Sequence, residues 1–376
     1  MVDIIETYNR KVLDFDYSTV GDGLITGKLG LALYFVAVQS YRLDKIYSKR
    51  INEILEEVIV NANSQKEDNI LLYSSLSKGL TGMVYIIEIM RNEKLLGEEC
   101  QDLVSAFCEI IYERSIKMFS EENFTFLEGP IGNLFLFTLI NDTEKSNHLI
   151  DLLYNAGVEN EYMFYTNLND LYTDGINFGM NYGYLSIINS LLPHVTRNKK
   201  AKSVVKRCLK VLENNLNYSY TAHGKHIYKP HSLVYDNSEL IPYQNNRLCW
   251  CNSDLSYSYV LYKVAQVMPE LDTWKLAKLI GSATINRMEF ENTGIQFAQF
   301  CHGTAGLSKL YSQLSKIDSC FKKSEQYWKD RTIEYLYSDK DLPLSNDDLS
   351  LLYGKIGALL VIDESIDSSK YLKFLL

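Results

Sequence analysis

A short pattern occurs seven times along the chain: a small residue, two further residues, a second small residue and then an apolar run. We call the first small residue of each copy its anchor. The anchors are Gly27, Gly79, Gly129, Gly183, Ser253, Gly303 and Gly354. The second small residues are Gly30, Gly82, Gly132, Ser186, Ser256, Gly306 and Gly357. Successive anchors lie 52, 50, 54, 70, 50 and 51 residues apart, a period typical of repeat architectures in which equivalent residues gather in one region.

Each anchor separates two kinds of segment. Residues 46–62 carry apolar side chains at helical spacing, with lysine, arginine and glutamate between them. Similar amphipathic segments precede the other anchors, at 3–14, 97–119, 145–156, 201–216, 273–288 and 321–336. Less charged runs follow the anchors, at 31–38, 83–90, 133–140, 187–192, 257–265, 307–314 and 358–362. The pattern therefore predicts seven hairpins, each with a charged outer helix and an apolar inner helix.

The hairpins can either extend as an open array or close on themselves. Closure is favoured because the inner runs are apolar enough to be buried on more than one face, and neither terminal repeat has the polar face of a solenoid cap. We predict an all-α fold, a double-layered α/α toroid of seven inner and seven outer helices, in a single domain over residues 1–376. An open all-helical array is the alternative.

The longest interval between anchors predicts a long loop or small insertion at about 217–246. This stretch is rich in tyrosine, histidine and proline, which suits an irregular loop or a short hairpin laid over one end of the fold. Long structured loops are often functional lids, although a plain surface excursion is the competing interpretation.

Composition excludes several classes of protein. The net charge is −9 and the pI is about 5.3, so a nucleic-acid-binding surface is not expected, whereas a cationic peptide partner is compatible. No apolar stretch reaches the ~18 residues of a membrane span, and the first residues do not resemble a signal sequence. We expect a cytoplasmic protein, peripheral at the membrane only through partner proteins. The seven cysteines argue against a disulfide framework, because their number is odd and the chain is long.

The residue before each anchor is polar, although its surroundings are apolar. In a closed ring these residues would surround the mouth, and converging polar groups at a concavity predict a binding site. Asn181, Asn252 and Glu128 are weaker candidates, because such residues could merely cap the inner helices. The set before the anchors is Thr26, Lys78, Glu128, Tyr182, Asn252, His302 and Tyr353.

Cys251, Cys301 and His302 are the sharpest candidates. The two cysteines are one repeat apart and hold the same position before their anchors, and His302 follows Cys301 directly. Two thiolates and an imidazole suit Zn²⁺, and three protein ligands leave the fourth position open, as in catalytic zinc sites. Buried cysteines that act as small hydrophobic residues are the alternative. Cys249 could replace Cys251 as a ligand, although its register does not match Cys301.

These residues carry a resemblance to a known family. Trp250-Cys251 with Ser253 two places later, Cys301-His302-Gly303 one repeat further on, and the seven hairpins resemble the lanthionine synthetase C-like family, the lantibiotic cyclases. The resemblance covers residues 27–357. It implies a double-layered α/α toroid with Zn²⁺ at its mouth, held by Cys251, Cys301 and His302.

The resemblance also implies a reaction. A cysteine thiol of a ribosomally made precursor binds zinc, loses its proton and adds to the β-carbon of a dehydroalanine or dehydrobutyrine. Protonation of the enolate at the α-carbon then closes a (methyl)lanthionine thioether ring. Arg247, four residues before the first zinc cysteine, matches a family arginine that would stabilise the enolate or position the substrate. The implied partners are the dehydrated precursor peptide with its leader, a dehydratase and a peptide exporter.

The chain departs from the family pattern at three positions, two of which concern the acid–base residues. The usual histidine before the fourth anchor is Tyr182, the usual third-repeat aspartate falls on Thr125, and Ser253 stands where a glycine is common. Tyr182 could still be the general acid; the alternative acids are His223, His226 and His231 of the insertion. The chain could also be a non-catalytic zinc protein that binds the precursor or a modification enzyme. A prenyltransferase-like toroid is a weaker alternative, because it would need a carboxylate ligand and no repeat-aligned aspartate stands at the mouth.

Overall fold

The computed structural model describes residues 2–62, 69–157, 175–218, 227–237, 239–245 and 247–376. Three strands lie among the helices: β1 (Gly175–Asn177), β2 (Ser232–Asp236) and β3 (Glu239–Tyr243). The α-helices in chain order are α1 (Val2–Leu13), α2 (Lys28–Arg42), α3 (Lys45–Ala62), α4 (Leu80–Asn92), α5 (Gln101–Ser120), α6 (Pro130–Leu139), α7 (Thr143–Ala156), α8 (Tyr184–Leu191), α9 (Lys199–Asn214), α10 (Asp254–Val267), α11 (Thr273–Thr284), α12 (Phe290–Thr293), α13 (Thr304–Ser315), α14 (Lys322–Ser338), α15 (Lys355–Ile362) and α16 (Ser368–Tyr371).

Every anchor directly precedes a helix, as the repeat pattern predicts. The seven helices that follow anchors are α2, α4, α6, α8, α10, α13 and α15. We call them the anchor helices. Their residues are mostly buried; in α2, for example, twelve residues from Lys28 to Gln39 are buried in succession. Amphipathic helices alternate with them in the chain, namely α1, α3, α5, α7, α9, α11 and α14. The two kinds of helix correspond to the inner and outer helices of the prediction.

The anchors Gly27 and Gly79 allow a loop carbonyl to approach the start of the helix that follows. The first backbone N–H of α2, on Lys28, donates to the Gly21 carbonyl at 2.7 Å, and that of α4, on Leu80, donates to the Tyr73 carbonyl at 3.0 Å. Helix N-termini leave such N–H groups without intrahelical partners, so these bonds satisfy them. A Cβ atom on Gly79 would lie 2.5 Å from that same Tyr73 oxygen, and one on Gly27 would lie 2.4 Å from the Gly21 oxygen. Glycine is therefore required by close approach of the backbone.

The contacts of the chain divide it into two compact units. Unit 1 comprises Met1–Ile111, Gln296–Ser312 and Lys322–Leu376; unit 2 comprises Tyr112–Ile295 and Gln313–Phe321. The prediction of a single domain over residues 1–376 stays a prediction.

Unit 1 contains the first and the last repeat. Helix α2 packs against α3, α4 and α15. The Leu351 N–H, before α15, donates to the Ile25 carbonyl, before α2, at 2.8 Å, and the Ser350 hydroxyl donates to the same oxygen at 3.0 Å. These bonds join the two ends of the repeat array, as a closed arrangement requires.

Unit 2 contains three consecutive repeats. Helix α6 packs against α7 and α8, α8 against α9 and α10, and α10 against α11. The loops before the helices are also joined: the Phe126 N–H donates to the Asn181 carbonyl at 3.0 Å, and the Met180 N–H donates to the Cys251 carbonyl at 2.6 Å. Residues at the same place in successive repeats are thus neighbours in space, as the period predicted.

The predicted insertion contains a β-hairpin. Strands β2 and β3 pair antiparallel, with Val234 opposite Ile241, and β2 also pairs antiparallel with β1, with Ile176 opposite Leu233. The sheet order is β1-β2-β3. Of the two structures considered for this segment, an irregular loop and a short hairpin, strands β2 and β3 form the hairpin.

Two predictions from composition can be compared with the structure. None of the seven cysteines forms a disulfide within the described part of the chain. Among the described helices, none is both long enough and apolar enough to cross a membrane.

Candidate metal site

The loop before α10 carries Cys251. Its anchor, Ser253, forms a capping box with Ser256, in which each side chain accepts a hydrogen bond from the other residue's backbone N–H. The Ser253 hydroxyl also donates to the Cys249 carbonyl at 2.6 Å. The half-buried Cys251 is held in addition through its carbonyl, which accepts the Met180 N–H. Serine at this anchor supplies side-chain hydrogen bonds that the glycine anchors lack.

The loop before α13 carries the other two predicted ligands. Cys301 is 1% exposed, and its N–H donates to the Leu352 carbonyl at 2.8 Å. The Cys301 Sγ lies 3.7 Å from the Nε2 atom of the half-buried His302. The His302 ring lies 6.4 Å, centroid to centroid, from the ring of Tyr353, which is 40% exposed.

The structure brings the three predicted ligands together. One donor atom from each of Cys251, Cys301 and His302 lies within 4.8 Å of the other two. Bond lengths to tetrahedral zinc of about 2.3 Å for sulfur and 2.0–2.1 Å for nitrogen place such donors about 3.6 Å apart. The observed 3.7 Å between the Cys301 Sγ and the His302 Nε2 agrees with that separation. The donor chemistry fits Zn²⁺, and the Cys301–His302 separation agrees with zinc bond lengths; whether these residues bind it stays a prediction.

Cys249, the predicted substitute for Cys251, lies beside it. The two Sγ atoms are 3.5 Å apart, and the Cys249 sulfur lies 3.5 Å from the backbone nitrogen of Asn252. Among the described residues, the group suited to a metal contains Cys251 and not Cys249. This choice agrees with the register argument from the sequence.

A buried charge network lies next to this loop. Lys229 and Asp254 are each 2% exposed, and Arg287 is 5% exposed. Asp254 accepts the backbone N–H of Lys229 at 2.8 Å, and the Arg287 Nη1 lies 3.5 Å from its other oxygen. Burial lowers the pKa of the Lys229 ammonium to about 8, opposed by Asp254, Cys249 and Cys251. Burial likewise raises the pKa of the Asp254 carboxyl, opposed by Arg287 and Lys229.

Sequence reasoning missed Lys229 and did not anticipate the buried contacts of Asn252. No signal in the sequence marks Lys229, because the insertion has no period by which a side chain can be placed. Asn252 was predicted to line the mouth or cap a helix, but it is 6% exposed and the cap is Ser253. Its amide donates instead to the His231 carbonyl at 2.9 Å.

The predicted catalytic residues have different surroundings. Tyr182 is half-buried directly before Gly183. Arg247 is exposed, and its side chain lies against Gly294, where an added Cβ would be 3.8 Å from the Arg247 Cγ. Gly294 has a φ of 67°, a left-handed conformation that suits glycine. The Arg247 guanidinium forms no ion pair with any residue in the described ranges.

The other candidate site residues differ in whether the structure shows a contact for their side chains. The Thr125 hydroxyl donates to the Asn123 side chain at 2.8 Å, so the residue at the aspartate position stabilises a turn. His231 is half-buried, and its ring lies 5.9 Å from that of Tyr243. His223 and His226 lie outside the described residues. Asn181 is 4% exposed, and its side-chain oxygen has no hydrogen-bond partner within the described part of the chain.

The fold and the site together define a class: a repeat protein of helical hairpins in which two thiols and an imidazole from equivalent loops converge. The chain belongs to the lanthionine synthetase C-like protein family, whose sequence model matches residues 18–376. Among solved structures it is similar to nisin cyclase, with a TM-score of 0.75 and 20% sequence identity over 99% of this chain and 96% of that chain. No curated protein sequence matches it. The family resemblance and the predicted all-α toroid are thereby confirmed.

Proposed function

We propose that this protein is a zinc-dependent peptide cyclase that forms (methyl)lanthionine thioether rings in a ribosomally made, dehydrated precursor during lantibiotic biosynthesis. The observation that carries the proposal is the convergence of Cys251, Cys301 and His302, with all three donor atoms within 4.8 Å. Family membership and the likeness to a protein named nisin cyclase support the same class of function.

The proposed reaction is an intramolecular thiol addition. Zn²⁺, when bound by Cys251, Cys301 and His302, would lower the pKa of a coordinated peptide thiol so that the thiolate forms near neutral pH. The sulfur forms a bond to the β-carbon of a dehydroalanine or dehydrobutyrine, and the electrons of the carbon–carbon double bond move to an enolate. A proton delivered to the α-carbon completes the ring, and the thiol proton leaves to solvent.

Two residues of this chain act on the enolate in our proposal. The Arg247 guanidinium donates hydrogen bonds to the enolate oxygen, which its exposure and its lack of an ion pair with described residues permit. The Tyr182 phenol delivers the proton to the α-carbon, since a phenol is protonated at neutral pH. His231 is the alternative acid among the described histidines of the insertion.

A second candidate function is a zinc-containing scaffold that binds the precursor or a modification enzyme without catalysis. The specific observation in its favour is Thr125: where the family usually has an aspartate, this side chain hydrogen-bonds Asn123 in a turn. The tyrosine at position 182 points in the same direction, because it replaces the usual histidine.

The proposed partners follow from the reaction. A dehydratase must supply the dehydrated residues of the precursor, which carries a leader, and a peptide exporter would remove the product. We propose that the protein works in the cytoplasm, associated with the membrane only through such partners.

The test uses a dehydrated peptide made from a short Ser/Thr/Cys-rich reading frame next to this gene. Purified protein and peptide are incubated, and the remaining thiols are counted by alkylation and mass spectrometry. We expect the wild type and a Cys320→Ala control, which alters an exposed cysteine, to consume thiols, and Cys301→Ala to consume none. Peptide binding without thiol consumption by the wild type would support the scaffold, and cyclisation by zinc-free protein would contradict the cyclase mechanism.

A further inference from the structure

Lys229 of the insertion is a buried ammonium group next to the loop that carries Cys251. Its Nζ donates to the Asn252 Oδ1 and, at 3.0 Å, to the Pro230 carbonyl. A buried charge without compensation costs several kcal/mol, so such a lysine needs an opposing charge and hydrogen bonds. Asp254 supplies the opposing charge within the same unit, and the two carbonyl oxygens supply the acceptors.

The same carboxylate attaches the insertion to the start of α10. The two Asp254 oxygens accept the backbone N–H groups of Tyr228 at 3.2 Å and Lys229 at 2.8 Å. Arg287 lies against the first of these interactions, 3.5 Å from the Asp254 Oδ2 that accepts the Tyr228 N–H. Since Asp254 is the first residue of α10, the segment around Lys229 is tied to the helix that follows the Cys251 loop.

Asn252, the neighbour of Cys251 in sequence, is held from three directions. Its Oδ1 accepts from Lys229, and its Nδ2 lies 2.9 Å from the His231 carbonyl and 3.3 Å from the Asn177 Oδ1. Two of these three partners belong to the insertion, and the third belongs to β1. Rotation of Asn252, and with it movement of the Cys251 backbone, would break several buried hydrogen bonds at once.

We propose that Lys229 is a positioning residue of the metal site, which holds the Cys251 loop in place through Asn252. The insertion then acts as a clamp on one metal ligand. This role differs from both earlier interpretations of the segment, as a lid and as a plain surface excursion. The inference rests on the proposed metal site, although it does not depend on the identity of the peptide.

The expected effect is a loss of metal affinity. Groups that orient metal ligands without touching the metal typically change affinity 10–100-fold when they are removed. Lys229→Met keeps the length of the side chain and removes its charge and its hydrogen bonds. We expect this variant to bind Zn²⁺ 10–100-fold more weakly than the wild type.

The matched control is Lys263→Met. Lys263 is also a lysine of unit 2; its Nζ donates to the Asn189 Oδ1 at 2.6 Å, and burial lowers its pKa to about 8 as well. It lies nine residues beyond Asp254, about 14 Å along α10. A loss of affinity caused only by general destabilisation would therefore occur in both variants.

The experiment measures Zn²⁺ affinity of the full chain by competition with a chromogenic chelator, together with the visible spectrum of the Co²⁺-loaded protein. Urea unfolding of the metal-free variants reports stability separately. We expect weaker binding and an altered Co²⁺ spectrum for Lys229→Met, and unchanged values for Lys263→Met. Asn252→Ala should lose at least as much affinity, and the double variant should lose no more than Asn252→Ala alone, because Lys229 acts through its contact with Asn252.

Three outcomes would overturn the inference. Wild-type affinity in both Lys229→Met and Asn252→Ala would show that the clamp does not set ligand geometry. Equal losses in Lys229→Met and Lys263→Met would assign the effect to stability. A wild type that binds no metal would overturn the proposed function as well, which separates that failure from a failure of Lys229 alone. If Lys229→Met does not fold, Asn252→Ala carries the test: weaker Zn²⁺ binding with Lys263→Met unchanged would support the clamp, and wild-type affinity would overturn it.

Discussion

At the scale of single residues, this chain combines a complete set of metal donors with altered acid–base positions. Cys251, Cys301 and His302 lie close together, whereas Tyr182 and Thr125 stand where the sequence resemblance leads us to expect a histidine and an aspartate. Binding of a metal and delivery of a proton are therefore separable, and they can be tested with different substitutions.

The role of Tyr182 and Arg247 is tested by Tyr182→Phe and Arg247→Met. We expect each to slow cyclisation about 100-fold or more, because one removes the proton donor and the other removes a donor to the enolate oxygen. Zinc content should not change. Single-turnover cyclisation rates are measured by mass spectrometry, with the exposed Arg197→Met as the control. Unchanged rates in both variants would exclude these two residues from the chemistry.

The ligands could be predicted from the sequence because they occupy one register in neighbouring repeats. The 50-residue separation of Cys251 and Cys301 places them at equivalent positions of consecutive repeats, and the donor atoms of both cysteines and His302 lie within 4.8 Å of one another. Lys229 could not be predicted in this way. Its position depends on hydrogen bonds to Asn252 and Asp254, which lie more than 20 residues away and outside any repeat equivalence.

At the scale of elements, the anchors determine where the helices begin. At Gly27 and Gly79, a loop carbonyl accepts the first helical N–H, and the same oxygen leaves no room for a side chain at the anchor. In the fifth repeat the anchor is a serine, and the Ser253 hydroxyl caps the N-terminus of α10. Substitution of a glycine anchor and substitution of the serine anchor should therefore change stability by different amounts.

Gly183→Ala tests this account of the anchors. An added Cβ would lie 2.2 Å from the Asn177 carbonyl oxygen, so the loop or the helix must shift. We expect a loss of about 2 kcal/mol or more in the free energy of unfolding. Urea denaturation followed by circular dichroism measures it. The control at the equivalent position, Ser253→Gly, should cost about 1 kcal/mol at most, since it removes a cap without a clash. Equal costs would contradict the close-approach explanation.

The strands were harder to predict than the helices. Helices α1 to α15 follow a long periodic pattern, and the predicted amphipathic segments agree with the observed ones within a few residues at most ends. Strands β1 to β3 are only three to five residues long, and β1 pairs with a strand more than 50 residues later. Short strands with a distant partner leave little periodic signal, so a loop and a hairpin could not be distinguished for the insertion.

At the scale of the whole molecule, the repeat places the candidate metal ligands in the loops that precede two anchor helices, α10 and α13. Seven anchor helices and seven amphipathic helices account for about half of the chain, and the first and last repeats are joined at Ile25 and Leu351. The period of about 50 residues was enough to predict this architecture. What the period could not predict is the function of the one longer interval, which depends on contacts that are specific to this chain.

The central claim is that Cys251, Cys301 and His302 together hold one zinc ion. Its most direct test is the zinc content of the purified protein, measured by elemental analysis against protein concentration. We predict about one zinc per chain in the wild type and in Cys320→Ala, and a loss of most of it in Cys251→Ala and in Cys301→Ala. Zinc-free wild-type protein after purification without chelators and with added zinc, or undiminished zinc in both ligand variants, would contradict the account.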